Sequence, residues 1–142
     1  MDRELKMDAS TLEAFLAREF PQVGADFAIE SLSADLLEVR LKVADRHLRP
    51  GGTVSGPSMF ALADVSVYLA VLARLGPVAL AVTTNCSIDF MRKPAAGVDL
   101  ICRCRLLKLG KLLAVGDALI FSDGGDEALA RATLTYAIPP TR

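Results

Sequence analysis

The chain has 142 residues, and its 52% hydrophobic and 23% charged content is that of a folded globular protein rather than a disordered one. A net charge of −1 gives no general attraction to nucleic acid or to an anionic membrane, so neither is expected as a partner. One histidine and three cysteines without a Cys-x-x-Cys pair cannot assemble a zinc site, so no metal is expected. The length predicts a single domain over 1–142, and the high apolar share predicts a homo-oligomer, either a dimer or a tetramer.

The N-terminal segment predicts a helical extension over residues 1–25. Within it, "DASTLEAFLAREFP" (8–21) has the pattern of a short amphipathic helix that Asp8 or Ser10 caps and Pro21 ends. Charges interrupt its apolar residues, which is not the layout of a signal peptide, so a cytoplasmic protein is expected.

Two strands and a loop come next. "DLLEVRLKV" (35–43) alternates apolar and charged residues and predicts a half-buried strand, with "FAIESLS" (27–33) as its partner strand. "DRHLRPGGTVSGP" (45–57) is rich in glycine and proline and predicts a loop.

The stretch "SGPSMFALADVSVYLAVLARLGP" (55–77) predicts a long helix with Ser55 or Gly56 at its N-cap and Gly76 at its stop. Apolar residues lie all round this helix, so we expect it to be buried on every side, partly by a second subunit. Asp64 is its only acidic residue. The run falls short of ~20 apolar residues and contains this charge, which disfavours a membrane-spanning helix.

After the helix the apolar period changes to two. Short turns with glycine join four long strands, which predicts an antiparallel meander. The predicted strands cover 80–94, 98–109, 111–123 and 127–138. In the first of them, Thr83 and Asn85 are predicted on one face and Thr84 on the other. The fold class is therefore α+β, with a long central helix packed on an antiparallel sheet of five to six strands.

Asp64 has two interpretations. An unpaired buried charge costs several kcal/mol, so a chain that keeps one either uses it or satisfies it. The carboxylate is a reagent, or it is a structural pin held by hydroxyls or backbone N–H groups of a partner subunit.

The order of strand, glycine-rich loop, helix with a carboxylate and further antiparallel strands is similar to the hot-dog fold. "GGTVSGPSMFALAD" (51–64) resembles the helix-start motif of the phenylacetic-acid-degradation (PaaI-like) acyl-CoA thioesterases. "TTNCSIDFMRKPAAG" (83–97) resembles the strand that follows in that family, and residues 108–136 resemble its last two strands. The resemblance covers residues 35–138 and implies an enzyme that hydrolyses an acyl-CoA to the free acid and CoA, with coenzyme A only as part of its substrate.

The resemblance places the family's catalytic carboxylate on Asp64 and its oxyanion-binding glycine on Gly56. Three positions depart from the motif: Ser55 stands for a histidine, Pro57 for a glycine, and Arg49 for an Asn or Gln. Proline has no N–H, so the oxyanion donor must be Gly56 or a neighbour. These departures keep an alternative open, a non-catalytic hot-dog module that binds acyl-CoA.

In the implied reaction, Asp64 acts as general base on water or as direct nucleophile, and the Gly56 N–H polarises the thioester carbonyl. The two residues lie about two turns apart on the same side of the helix, a gap that an extended acyl group would bridge. A Ser-His triad with His47 is disfavoured because the nucleophile-elbow pattern is absent. The residues predicted to bind substrate are Arg49, Ser55, Tyr68, Thr83, Asn85, Arg92 and Lys93.

Overall fold

The centre of the molecule is helix α3 (Gly56–Leu75), within a computed structural model that describes residues 4–140. Ser55 is its N-cap, since its hydroxyl accepts the Ser58 N–H at 3.2 Å, and Pro57 lies in the first turn. Gly76 ends the helix at a φ of 92°, a conformation that favours glycine. The predicted bounds of the long helix are therefore confirmed.

Six antiparallel strands form one sheet in the order β1-β2-β4-β5-β6-β3. They are β1 (Phe27–Leu32), β2 (Leu37–Leu41), β3 (Val82–Phe90), β4 (Leu100–Leu109), β5 (Leu113–Ser122) and β6 (Ala130–Ala137). The long helix packs on this sheet, which confirms the predicted α+β architecture of hot-dog type.

One predicted strand pairing is wrong. Strands β4, β5 and β6 form the expected meander, but β3 pairs with β6 at the sheet edge, and β4 pairs with β2. The connection between β3 and β4 covers residues 91–99, which is too long for a tight hairpin, and it includes Pro94 and Gly97. This length lets the chain leave the edge and cross to the middle of the sheet.

Most of α3 is buried within one chain. Five strands touch it, and helix α1 (Ala9–Glu19) packs beside it. Of its most apolar window, long enough to span a membrane, 72% is buried inside the fold. Even Arg74 is buried, with its guanidinium donating to the carbonyls of Glu4 and Ala34. The sheet and α1 thus provide most of the cover of this helix, and cover of the rest by a second subunit stays a prediction.

The predicted N-terminal extension contains two helices. Asp8 caps α1 by accepting the Thr11 N–H at 2.8 Å. Pro21 does more than end α1, since it begins the single-turn helix α2 (Pro21–Gly24). Residues 1–3 and 141–142 of the predicted domain lie outside the described residues.

Candidate active site

Asp64 lies near the middle of α3, and its half-buried carboxylate points toward the edge of the sheet. The Thr83 hydroxyl donates to Asp64 Oδ1 at 2.5 Å. The Tyr136 hydroxyl lies 2.7 Å from the same oxygen and 3.0 Å from the Asp64 main-chain oxygen. Within residues 4–140 no hydrogen-bond donor contacts Oδ2. The carboxylate is thus held by one oxygen and presents the other.

The ends of two neighbouring strands bring these donors together. Thr83 at the start of β3 is paired directly with Tyr136 at the end of β6. A β-bulge follows Thr83, so that Asn85 pairs with Thr135 on the opposite face of the sheet. The prediction that Thr83 and Asn85 share a face was therefore wrong, because the bulge inserts one extra residue. The substrate-binding role of Asn85 stays a prediction.

The Asp64 charge acts on two neighbours. Burial, and then the Asp64 carboxylate, raise the pKa of Tyr136 far above its usual range, so the phenol keeps its proton. The same two causes raise the pKa of the half-buried Cys86 thiol. Cys86 is therefore not a thiolate nucleophile at neutral pH.

The beginning of α3 presents one backbone donor without an acceptor. The Ser55 N–H donates to the His47 carbonyl at 2.8 Å, and the Ser58 N–H donates to the Ser55 hydroxyl. Pro57 has no N–H. Among the described residues this leaves the Gly56 N–H unpaired, at the positive end of the helix dipole. A carbonyl oxygen is a suitable acceptor for such a group.

A groove of about 480 Å³, the helix-start groove, opens beside this donor. The Phe90 ring lies over Gly56, 3.3 Å from the position that a Cβ would take. Arg92 pairs with Glu127 at 3.0 Å, and within residues 4–140 no carboxylate pairs with Arg49 or Lys93. The groove is lined by Arg49, Thr53, Val54, Gly56, Met59, Phe90, Met91, Arg92, Lys93 and Pro94.

A second groove of about 440 Å³, the carboxylate groove, is bordered by Thr83 and Tyr136, the two residues that contact the Asp64 carboxylate. Asp64 itself is not among its lining residues. Its lining is about half polar and half apolar. Leu80 is 80% exposed there. The Tyr68 hydroxyl donates to the Ala79 carbonyl at 3.0 Å, so its ring borders the groove in a fixed position. The lining residues are Glu19, Phe20, Gln22, Val65, Tyr68, Ala79, Leu80, Ala81, Thr83 and Tyr136.

The predicted site residues thus fall into two groups. Arg49, Gly56, Arg92 and Lys93 line the helix-start groove, whereas Tyr68 and Thr83 line the carboxylate groove. At 1.5 Å per residue, Gly56 and Asp64 are about 12 Å apart along the helix axis. A carbonyl oxygen on the Gly56 N–H is therefore out of reach of the Asp64 carboxylate of the same chain. The predicted bridging of this gap by one acyl group is not supported by the geometry.

His47 supports the loop before α3. Its Nδ1 accepts the Ala44 N–H at 2.9 Å, and its Nε2 lies 3.1 Å from Asp26 Oδ2. The Ser55 hydroxyl instead bonds Ser58 at 3.0 Å. Serine and histidine side chains thus have separate partners, in agreement with the absence of a Ser-His triad.

Tyr136 is the site residue that the sequence did not predict. The alternation in "ARATLTYA" places it on the buried face of β6, where it is 3% exposed. A buried phenol needs an acceptor for its proton, and Asp64 was the obvious buried acceptor. That combination is the signal by which Tyr136 could have been found.

A carboxylate on the central helix of a hot-dog fold, together with an open N–H at the start of that helix, agrees with the resemblance to hot-dog thioesterases found in the sequence. The sequence model of the thioesterase superfamily matches residues 51–129, more than half of the chain. The protein belongs to this superfamily and is a thioester hydrolase.

Solved structures agree with this assignment. The chain is 60% identical to a candidate thioesterase of Silicibacter sp. TM1040, with a TM-score of 0.91 over 97% of this chain and 96% of that one. It is 28% identical to a variant of the phenylacetic acid degradation protein PaaI of Thermus thermophilus, with a TM-score of 0.71 over 84% and 99% of the two chains. A thioesterase-type protein of Streptococcus pneumoniae, solved with coenzyme A, has the same fold at 21% identity, with a TM-score of 0.74 over 90% and 96% of the chains.

Proposed function

We propose that the protein hydrolyses an acyl-CoA thioester, with Asp64 as nucleophile or general base and the Gly56 N–H as donor to the thioester carbonyl. The observation that carries this proposal is the arrangement at Asp64. Two hydroxyls hold Oδ1, while Oδ2 has no donor among residues 4–140. Oδ2 is not among the buried side-chain atoms without a partner, so it is open to solvent, as an atom that attacks a substrate or activates a water must be.

The helix-start groove supports coenzyme A as the leaving group. Coenzyme A carries phosphates, and three cations (Arg49, Arg92 and Lys93) line the groove beside the Gly56 donor. The streptococcal protein of the same fold was solved with coenzyme A. The acyl group would then extend into the carboxylate groove, along its apolar residues Val65, Ala79, Leu80 and Ala81.

A homodimer would bring the two grooves together. Strand β3 is a sheet edge, and it is free to pair with β3 of a second copy. An antiparallel two-fold pairing about the middle of β3 places the Thr83 end of one strand beside the Phe90 end of the other. Thr83 contacts Asp64, and Phe90 covers Gly56. The Asp64 of one chain would therefore face the partner subunit's Gly56. The carboxylate and the N–H donor would then come from different helices, so their separation of about 12 Å along one helix would not keep them apart.

Two chemical routes fit this assembly. As nucleophile, Asp64 Oδ2 attacks the thioester carbon, the C–S bond breaks, CoA leaves as thiolate, and water hydrolyses the resulting anhydride. As general base, Oδ2 takes a proton from water while the water oxygen attacks the same carbon. The C–S bond then breaks, CoA leaves as thiolate, and the proton passes from Asp64 to the thiolate. In both routes negative charge builds on the carbonyl oxygen, where the Gly56 N–H and the helix dipole stabilise it.

The variant Asp64→Asn tests the proposal. Asparagine keeps the oxygen that accepts from Thr83 and Tyr136, so the fold and the oligomer should persist, while the reacting oxygen is lost. We expect thiol release from a panel of acyl-CoA esters to fall about 10²- to 10⁴-fold. Thiol release, thermal melting and sedimentation should be measured on both proteins, with acyl-CoA binding by calorimetry.

Three outcomes count against the proposal. Saturable binding without thiol release from either protein would identify a binding module. Unchanged thiol release in Asp64→Asn would remove Asp64 from the chemistry. If Asp64→Asn unfolds the protein or dissociates its subunits, while the protein that stays assembled releases thiol at the wild-type rate, the role of Asp64 is structural.

A further inference from the structure

The Tyr136 hydroxyl points at the oxygen of Asp64 that the proposed chemistry does not use. It lies 2.7 Å from Oδ1, the atom that also accepts from Thr83. The tyrosine comes from β6 and the threonine from β3, so side chains of two separate strands hydrogen-bond one carboxylate oxygen. We infer that Tyr136 is a positioning residue that aims Asp64 Oδ2 at the thioester, an inference that rests on the proposed function.

The two hydrogen bonds to Oδ1 restrict the rotation of the Asp64 carboxylate. An aspartate side chain in a helix can rotate about its terminal bond, since that torsion is broad. Hydrogen bonds to Oδ1 from two directions remove this freedom and leave one orientation for Oδ2. A misplacement of a reacting atom by about 1 Å can cost about 10²-fold in rate. The second donor therefore contributes to rate through its effect on Asp64.

Tyr136 is itself fixed well enough to serve this purpose. It is 3% exposed, and its ring lies 6.0 Å from the Tyr68 ring, centroid to centroid. Its hydroxyl also lies 3.0 Å from the Asp64 main-chain oxygen, which ties β6 to the helix at that residue. Burial and the Asp64 charge raise the pKa of this phenol, so it remains a donor throughout the working pH range.

The simpler alternative is that Tyr136 is a core aromatic whose hydroxyl happens to find an acceptor. The two interpretations differ for Tyr136→Phe, which keeps the ring and removes only the donor. If the ring alone matters, kcat stays at the wild-type value. If the donor positions Oδ2, kcat falls while KM stays nearly constant, because the variant keeps the ring that borders the carboxylate groove and removes only a hydroxyl that is bonded to Asp64.

The experiment compares kcat and KM of Tyr136→Phe with the wild type on the acyl-CoA ester that the wild type hydrolyses fastest. We expect kcat to fall about 10- to 100-fold and KM to change less than about threefold. The control is Ser66→Ala, which removes another buried hydroxyl from α3, one that donates to the Leu62 carbonyl. This control should keep the wild-type kcat.

A spectroscopic measurement tests the contact itself. The chain has two tyrosines and no tryptophan, so tyrosine labelled with carbon-13 at Cζ gives two resonances, which Tyr68→Phe assigns. Asp64→Asn should move the Tyr136 resonance, whose hydroxyl loses a charged acceptor. The Tyr68 resonance should stay in place, because that hydroxyl donates to Ala79.

The outcomes are distinct. A lower kcat in Tyr136→Phe at constant KM, with a shifted Tyr136 resonance in Asp64→Asn, supports the inference. A wild-type kcat in Tyr136→Phe, or an unmoved resonance, overturns it and leaves the proposed function intact. A wild type that releases no thiol from any ester overturns both.

Discussion

The two grooves on either side of α3 differ in what holds their functional group. In the helix-start groove the reactive group is a backbone N–H, supplied by a cap and a loop and surrounded by cations. In the carboxylate groove it is a side chain, held by hydroxyls from two strands beside a lining that is about half apolar. Under the proposed function, the first groove would bind the anionic carrier and the second would hold the chemistry on its acyl group. Because Gly56 and Asp64 are about 12 Å apart along the helix, each groove of one chain would then be half of a site.

The most direct test of the difference between the two grooves is one inactivating substitution in each of them. Asp64→Asn disables the carboxylate groove, and Gly56→Pro removes the helix-start donor. Proline suits this first helical position, and Ser55 already has the extended conformation that precedes proline. Alone, Gly56→Pro should lose about 10²- to 10³-fold in kcat. Mixed and re-associated, the two inactive variants should recover about one quarter of wild-type activity, because half of the dimers carry one site free of both lesions.

Gly56→Ala is the matched control for the proline variant. It adds a similar Cβ near the Phe90 ring, where the contact is 3.3 Å, but it keeps the N–H. Its activity should therefore stay well above that of Gly56→Pro. If mixing the two inactive variants restores no activity although they form mixed dimers, the site lies within one chain and the division into half-sites is wrong.

A smaller effect is expected from the cations of the helix-start groove. Arg49→Ala and Lys93→Ala should each raise KM for acyl-CoA about three- to tenfold at low salt, with kcat nearly unchanged. Raising the salt concentration should reduce the difference in KM between each variant and the wild type, because exposed charges are screened. Arg92→Ala should have less effect, since Glu127 already pairs with it.

Assays with a pantetheine thioester, which lacks the nucleotide phosphates, should show no difference among these proteins. A difference that persisted there would assign the cations another role.

The smallest expected effect is on the free energy of unfolding and its dependence on pH. Burial by itself would raise the pKa of Asp26, but hydrogen bonds from Arg46 and His47 outweigh it and hold the pKa below 3.8. A carboxylate with a depressed folded-state pKa stabilises the fold above its unfolded pKa, and this contribution is lost as pH falls through the folded value. Asp26→Asn should therefore lower the free energy of unfolding at neutral pH by about 1–2 kcal/mol and lose less between neutral pH and pH ~3 than the wild type.

Urea unfolding at several pH values measures this difference. The control is Glu127→Gln, which breaks an ion pair whose side chains are both more than half exposed and should change stability little. Equal acid sensitivity of Asp26→Asn and the wild type would show that this contact does not hold the loop before α3.

The sequence by itself determined the parts of this protein that local physics controls. Ser55, Pro57 and Gly76 define the ends of α3 through capping and backbone conformation, which act within a few residues. Alternation of apolar and polar residues located the strands, and Asp64 stood out because no neighbour in the helix could satisfy it. Only the tertiary structure decided that β3 pairs with β6, that a bulge separates the faces of Thr83 and Asn85, and that Tyr136 reaches Asp64. These outcomes depend on contacts between residues far apart in the chain, and no periodicity within one segment carries information about which distant strand will lie beside it.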